Sequence, residues 1–187
     1  QLGDAPGGML MRTVYLGTLI TQNNKIQEEI KARIHAGNRC YFGWNKLFKS
    51  RILSTNLKIQ LYRTLIQPVV MYGCETWTLH KIQQNNLLVF ERKVLRSIYG
   101  PCIDSHTGEW RIRHNVEIRE LYQKPNIVDD IRKRRLFWAG HAWRKKKALV
   151  HKVLCGSPKG VRSLGRPKLR WEDQVSKEVE RAESSTD

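Results

Sequence analysis

The strongest constraint on this chain is the segment of residues 132–170, which carries fourteen Lys and Arg residues and no Asp or Glu. Like charges at this density repel one another unless a polyanion neutralises them, as a nucleic-acid backbone does with release of its counterions. Tryptophans within and just after the segment offer flat surfaces on which bases stack; they are Trp138, Trp143 and Trp171. The segment therefore points first to nucleic acid as the partner.

The whole chain is strongly basic, with 187 residues, a net charge of +17 and a pI of about 10.1. Hydrophobic residues make up 40%, enough for a core in one large domain or two small ones. The charge favours nucleic acid over an anionic membrane surface, and no apolar run approaches the ~20 residues that span a bilayer. Residues 1–11 lack the pattern of a signal peptide, and the four cysteines form no CxxC pair. We therefore expect an intracellular, reduced protein without a membrane partner, and the basic clusters favour the nucleus.

Hydrophobic periodicity predicts a mainly α chain with a short β element near its start. β-branched and aromatic residues around Gly17 predict a strand or hairpin arm over residues 13–21. Apolar residues at helical spacing then predict a helix as far as Phe48, which Gly37 and Gly43 weaken.

Two further helices are expected before residue 100. Ser54 and Thr55 are good N-caps for the first of them, and Pro68 should kink or restart it. The next helix covers residues 81–99 and ends at Gly100.

Composition shifts after Gly100, where we place a domain boundary. Residues 101–114 look irregular, and helical patterns follow over residues 115–122, 126–147 and 169–183. The predicted organisation begins with a flexible segment over residues 1–11. A helical bundle with its hairpin follows over residues 12–100. A small basic helical domain covers residues 101–187 and includes a flexible loop over residues 156–168.

Four blocks of sequence carry a resemblance to a known family. They are YLGTLIT (15–21), YRTLIQPVVMYGCETW (62–77), RRLFWAGH (134–141) and GRPKLRW (165–171). In this order and spacing they resemble the C-terminal third of a non-LTR (LINE-type) retrotransposon endonuclease–reverse transcriptase, over residues 12–180. Each block alone is weak, but four in the same order are a strong signal.

The resemblance implies a division of labour along the chain. In that family the first block lies in the hairpin that grips the primer end, which places Tyr15, Leu16 and Gly17 near the primer terminus. The helices that follow form the thumb, which holds the template–primer duplex. The last two blocks belong to a C-terminal extension that binds nucleic acid. Palm and fingers of such an enzyme are missing from this chain and are its implied partners.

The sequence shows no catalytic or metal-binding constellation. Nucleotidyl transfer needs two metal ions held by closely placed carboxylates, and the family signature is an aromatic residue, a variable one and two aspartates. The only adjacent aspartates, Asp129 and Asp130, lie in a basic helical region. Cys102, His106 and His114 supply three ligands where structural zinc takes four. We expect no polymerase activity from this chain alone, no cofactor and no metal.

The predicted function is to hold template–primer hybrid, RNA or target DNA through phosphates, with little base selectivity. The expected contacts are Arg132, Lys133, Arg134, Arg135, Trp143, Arg144, Lys145, Lys146, Lys147, Arg166, Lys168 and Arg170. Arg166-Pro167-Lys168 either enters an AT-rich minor groove or only touches phosphates. Alternatively the clusters are a solvated helix face or a localisation signal, or the chain is a degenerate or co-opted retroelement remnant that acts as a protein-interaction module. Gly37 and Gly43 would fit decay.

Several side chains have two interpretations. Trp138 and Trp171 fit core positions of helices, whereas Trp143 beside four cations either packs or stacks on a base. His141 is interpreted as a hydrogen-bonded structural residue because no nucleophile or carboxylate pattern accompanies it. Glu75 is expected to be partly buried in a hydrogen bond or ion pair.

Overall fold

The computed structural model describes residues 12–21, 26–146, 149–156 and 170–184. It is mainly α, as predicted, with two short antiparallel hairpins. The strands are β1 (Arg12–Tyr15), β2 (Thr18–Thr21), β3 (Cys102–Ile103) and β4 (Trp110–Arg111). The helices are α1 (Ile26–Gly43), α2 (Asn45–Lys49), α3 (Thr55–Leu61), α4 (Gln67–Val70), α5 (Lys81–Tyr99), α6 (Asn115–Tyr122), α7 (Ile127–Arg144), α8 (Leu149–Cys155) and α9 (Trp171–Glu183). No helix in these ranges is long and apolar enough to cross a bilayer.

The N-terminal hairpin is confirmed, and its turn is tight. Tyr15 pairs with Thr18, so only Leu16 and Gly17 form the turn, with φ angles of 46° and 78°. Two consecutive positive φ angles are typical of the type I′ turn, which matches the twist of paired strands. Glycine adopts this conformation freely, whereas leucine at positive φ is strained.

Gly37 lies where three helices meet. A Cβ added to it would lie 2.3 Å from Cγ2 of Val70 in α4 and 3.0 Å from the Phe90 ring in α5. Only a residue without a side chain allows α1 to approach these helices so closely. The interpretation of Gly37 as a sign of decay is therefore wrong. A Cβ on Gly43 would meet nothing within 4 Å.

The restart predicted at Pro68 is confirmed and is accompanied by a π-helical turn. Ser54 caps α3 by accepting a hydrogen bond from the Leu57 amide at 3.3 Å. Residues Tyr62–Ile66 form the π turn, in which the Gln67 amide donates to the Tyr62 carbonyl, and α4 then carries Pro68 in its first turn. Proline lacks the amide that an uninterrupted α-helix needs, so the wider turn absorbs the break.

One hydrophobic cluster extends across the boundary predicted near residue 100. It contains α5 residues such as Leu87 and Val94 and residues of the later helices, namely Ile118, Tyr122, Ile127, Val128 and Ile131. Helices from both sides of the predicted boundary therefore contribute to one cluster. The division into two domains stays a prediction.

A buried carboxylate joins α5 to the start of α7. Both oxygens of Glu91 accept from the Ile127 amide, at 3.1 and 3.0 Å, and one accepts from the Tyr62 hydroxyl at 3.2 Å. The carboxylate thus satisfies an amide that helix geometry leaves without a partner. Burial outweighs these hydrogen bonds and raises the pKa of Glu91 to about 7.

Residues 101–114, expected to be irregular, contain the second hairpin. Strand β3 pairs with β4, and the Asp104 carboxylate accepts from the His106 amide at 2.9 Å in the turn. Arg111 then joins this turn to α6, with ion pairs to Asp104 at 3.0 Å and Glu117 at 2.6 Å. Two-residue strands give too little alternation for a sequence pattern to reveal them.

Candidate nucleic-acid interface

Helix α7 organises the candidate site because its two faces differ in character. Asn126 starts the helix, and its side chain accepts from the amides of Val128 and Asp129 at 3.0 and 3.1 Å. The buried residues recur three or four positions apart and form the inner face; they are Ile127, Val128, Ile131, Arg135, Ala139 and Ala142. The inner face thus includes one arginine.

Arg135 is fully buried, with 0% of its surface exposed, and its donors are used inside the protein. Its guanidinium forms a bidentate pair with Glu178 of α9, at 3.0 and 2.5 Å. It also donates to the Trp77 carbonyl and, at 3.3 Å, to the Gln174 side chain. The prediction that Arg135 contacts nucleic acid is wrong, because the side chain has neither exposure nor a free donor group for a phosphate.

The same region fixes α9 against the segment that follows α4. The Gln174 amide pairs with Leu79, accepting from its N–H at 2.9 Å and donating to its carbonyl at 3.2 Å. Trp171 donates from Nε1 to the Glu75 carbonyl at 2.8 Å. The rings of Trp138 and Trp171 are partly buried and meet edge to face, with centroids 5.4 Å apart. The last two sequence blocks therefore contact each other.

The opposite side of α7 is a basic and aromatic surface, which we call the outer stripe. Its members are exposed and recur at helical spacing; they are Lys133, Arg134, Phe137, His141 and Arg144. Within the described part of the chain, no ion pair involves Lys133, Arg134 or Arg144. Phe137 is 76% exposed, so its ring is accessible from outside the protein.

A groove of about 630 Å³ runs beside the outer stripe, between α7 and residues 63–75. Its lining is mixed: apolar and aromatic side chains, cations and two carboxylates. The lining residues are Arg63, Gln67, Pro68, Met71, Glu75, Asp130, Lys133, Arg134, Phe137, Trp138 and His141. Asp130 is already engaged, since it accepts from Gln67 Nε2 at 2.7 Å and lies 3.6 Å from an Arg63 nitrogen.

The remaining predicted contacts divide into three groups. Arg132 is partly withdrawn, because it pairs with Asp129 at 2.9 Å and donates to Gln84 at 3.2 Å. Trp143 is 36% exposed, and the exposed cations near the end of α7 and before α9 are Arg144, Lys145, Lys146 and Arg170. Lys147, Arg166 and Lys168 lie outside the described residues.

The hairpin tip presents side chains on a backbone that is held in place. Tyr15 and Leu16 are exposed. The Leu16 carbonyl accepts from the Tyr72 hydroxyl at 2.8 Å, and the Gly17 carbonyl accepts from Arg33, whose guanidinium also lies 4.6 Å from the centre of the Tyr72 ring. The first two sequence blocks are thus in contact.

Three further expectations from the sequence concern His141, Glu75 and Cys102. His141, interpreted as a structural residue, is exposed on the groove wall. Glu75 is half-buried, as predicted, and also lines the groove. Cys102 donates to the Arg111 carbonyl at 3.8 Å, and the described residues contain no group of three or more His, Cys, Asp or Glu that could hold a metal ion.

The positions of Phe137 and Arg135 were not predicted, although helical spacing in the sequence indicates both. Arg135 lies four residues after Ile131 and four before Ala139, which places it on the inner face. Phe137 lies four residues after Lys133 and four before His141, which places it on the outer stripe. The basic cluster of residues 132–135 is thus divided between the two faces of α7.

Comparison with known proteins gives one relationship. No protein-family model matches the chain, and no solved structure matches it. The chain is 27% identical over 168 residues to a putative uncharacterized transposon-derived protein of Caenorhabditis elegans. The match covers 89% of this chain but 59% of that protein, so the chain spans less than two thirds of its relative. This similarity supports a transposon-related origin.

Proposed function

We propose that this chain is the nucleic-acid-holding part of a retrotransposon reverse transcriptase, of the non-LTR kind, and that it binds template–primer hybrid, RNA or target DNA through phosphates. The observation that carries the proposal is the outer stripe of α7 with Lys145 at its end. Lys133 and Lys145 are twelve residues apart, or ~18 Å along a helix. That length corresponds to about five base-pair steps of ~3.4 Å each.

The environment of these cations supports phosphate contact over an internal role. Lys133, Arg134 and Arg144 are exposed, without a carboxylate partner in the described residues, whereas Arg135 on the same helix is buried and bidentate with Glu178. Glu178 of α9 thus neutralises the arginine on the covered face of α7, whereas the cations of the outer stripe stay positively charged. Such a surface attracts a polyanion irrespective of sequence.

The transposon-derived relative and the hairpin add support for the reverse-transcriptase part of the proposal. In that interpretation Tyr15, Leu16 and Gly17 approach the primer terminus, and palm and fingers are supplied by another part of the protein. Polymerisation is then not an activity of this chain alone. The function of this chain is then to hold the nucleic acid on which the palm and fingers act.

The test is charge reversal with a matched control. The variant changes four cations of the interface to Glu, namely Lys133, Arg134, Arg144 and Lys145. The control reverses four exposed lysines outside α7, namely Lys31, Lys46, Lys49 and Lys124. Both variants lose the same net charge. Affinity for a duplex of arbitrary sequence is measured by fluorescence anisotropy at several salt concentrations.

We expect the interface variant to bind weakly, and the dependence of log affinity on log salt to fall by about three to four, since each phosphate contact contributes ~0.9. The control should retain most of its slope. Equal losses in the two variants would show that overall charge, and not the outer stripe, drives binding.

A second candidate function is that of a protein-interaction module. It is favoured by exposed apolar side chains at the junction of α1 and α2, where Phe42 is 58% and Trp44 43% exposed. Under this alternative the interface variant binds an unidentified protein partner as well as the unchanged chain does, and neither binds nucleic acid.

A further inference from the structure

We propose that the groove beside α7 holds one unpaired nucleobase, so that this surface prefers strands with an unpaired end or loop over fully paired duplex. The inference rests on the proposed function and extends it. Phosphate contacts alone do not distinguish paired from unpaired strands in this way.

The size and surface of the groove fit a planar, largely apolar ligand. Its volume of about 630 Å³ lies within the range of small-molecule sites. Pro68 contributes apolar surface on one side, and Phe137 and Trp138 contribute aromatic surface from α7. Every nucleobase has a π face that stacks on such rings irrespective of its identity.

The exposure of Phe137 separates it from the other aromatic residue of the groove. Trp138 is partly buried and packs against Trp171, which explains its presence by folding alone. Phe137 is 76% exposed on the same helix, so burial in the protein does not explain it. An exposed aromatic ring among cations is the arrangement by which proteins bind unpaired bases.

The charges in the groove favour a base over a phosphate as its occupant. The carboxylates of Glu75 and Asp130 both line the groove, and the Arg63 cation in the same lining is already paired with Asp130, so this part of the groove offers a phosphate no free cation. Lys133 and Arg134 line it from the exposed side of α7, where they are suited to the phosphates that flank a base. A neutral base in the groove with its phosphates at these cations satisfies both sets of charges.

The experiment compares two DNA ligands with equal numbers of phosphates, using the full chain. One is a blunt duplex and the other is a shorter duplex with four unpaired nucleotides at one end, of which one is 2-aminopurine. Anisotropy gives the affinities, and 2-aminopurine fluorescence reports stacking on a protein ring. The variants are Phe137→Ala and Phe137→Trp, with Trp110→Ala as the matched control, because Trp110 is 70% exposed and lies in β4.

We expect the unchanged chain to bind the DNA with the unpaired end about tenfold more tightly than the blunt duplex, the scale of stacking one base on an aromatic side chain. Phe137→Ala should lose this preference and the fluorescence change, while its affinity for blunt duplex stays the same. Phe137→Trp and Trp110→Ala should keep the preference.

Equal affinity of the unchanged chain for the two ligands would overturn the base site, as would a preference that survives Phe137→Ala. In both cases salt-dependent binding of the blunt duplex leaves the proposed function intact. Absence of binding to either ligand at low salt would refute the proposed function and the base site together.

Discussion

The ion pair between Arg135 and Glu178 allows a test of whether Arg135 stabilises the fold or contacts nucleic acid. The perturbation is Arg135→Met, which approximates the length of the side chain and removes its charge. Glu178 is 6% exposed, so this change leaves a buried carboxylate without its bidentate partner. Removing one member of a buried pair typically destabilises a protein by about 3–5 kcal/mol.

The surroundings of Glu178 refine that magnitude. Arg132 has its Nε 3.9 Å from a Glu178 oxygen and partly replaces the lost charge, which favours the lower end, ~3 kcal/mol. In the double variant Arg135→Met/Glu178→Met no charge is left unpaired there, and the main loss is a donor to the Trp77 carbonyl, about 1–3 kcal/mol. The double variant should therefore be no less stable than Arg135→Met alone.

The assay is urea denaturation followed by circular dichroism for the unchanged chain, both single variants and the double variant, which gives the coupling free energy. A single-variant loss below ~1 kcal/mol, the range of exposed ion pairs, would refute the reasoning. A loss in the double variant equal to the sum of the two single-variant losses would also refute it. Under conditions in which the variant is folded, Arg135→Met should bind duplex DNA as tightly as the unchanged chain, because the Arg135 side chain is buried.

Two further predictions concern stability. The pKa of Glu91 is about 7 in the folded chain against an ordinary 4.5, so its stabilising contribution is greatest below pH 4.5 and falls by ~3 kcal/mol as the pH rises to 7. Glu91→Gln should remove this decline, which denaturation of both proteins between pH 4.5 and 8 measures. If the free energies of unfolding of the two proteins changed with pH in parallel, the prediction would be wrong. Gly37→Ala should cost about 1–3 kcal/mol because its Cβ collides with Val70. Gly43→Ala, in open space within α1, should be neutral or stabilise by up to ~1 kcal/mol, and a ranking opposite to this in denaturation experiments would contradict the packing argument.

Much of the fold was predictable because local signals agreed with it. The third predicted helix matches α5 over Lys81–Tyr99, Ser54 caps α3, and the first hairpin lies where β-branched residues surround Gly17. The packing of Gly37 was not predictable, because the atoms that exclude a side chain there belong to α4 and α5. A helix propensity scale treats such a glycine as a local defect, and only tertiary contacts show its role.

The charge of the candidate site and its division into two faces were predictable from the sequence, but the partner of Arg135 was not. Exposure of Lys133, Arg134, Arg144 and Lys145 follows from the cost of burying unpaired cations. The pairing of Arg135 depends on Glu178, 43 residues later, and no local pattern indicates that partner. Helical periodicity applied residue by residue would have placed Arg135 on the inner face without identifying what neutralises it.

The contact between α9 and α7 determines how this protein can be shortened. A fragment that ends before Trp171 would uncover the guanidinium of Arg135 and one side of the Trp138 ring, and would remove the hydrogen bonds that Gln174 makes to Leu79. Such a truncation, made to isolate the basic helix, would destabilise the very scaffold that displays it. Helix α9 is acidic in its first turn, yet the basic surface on the opposite side of α7 depends on it.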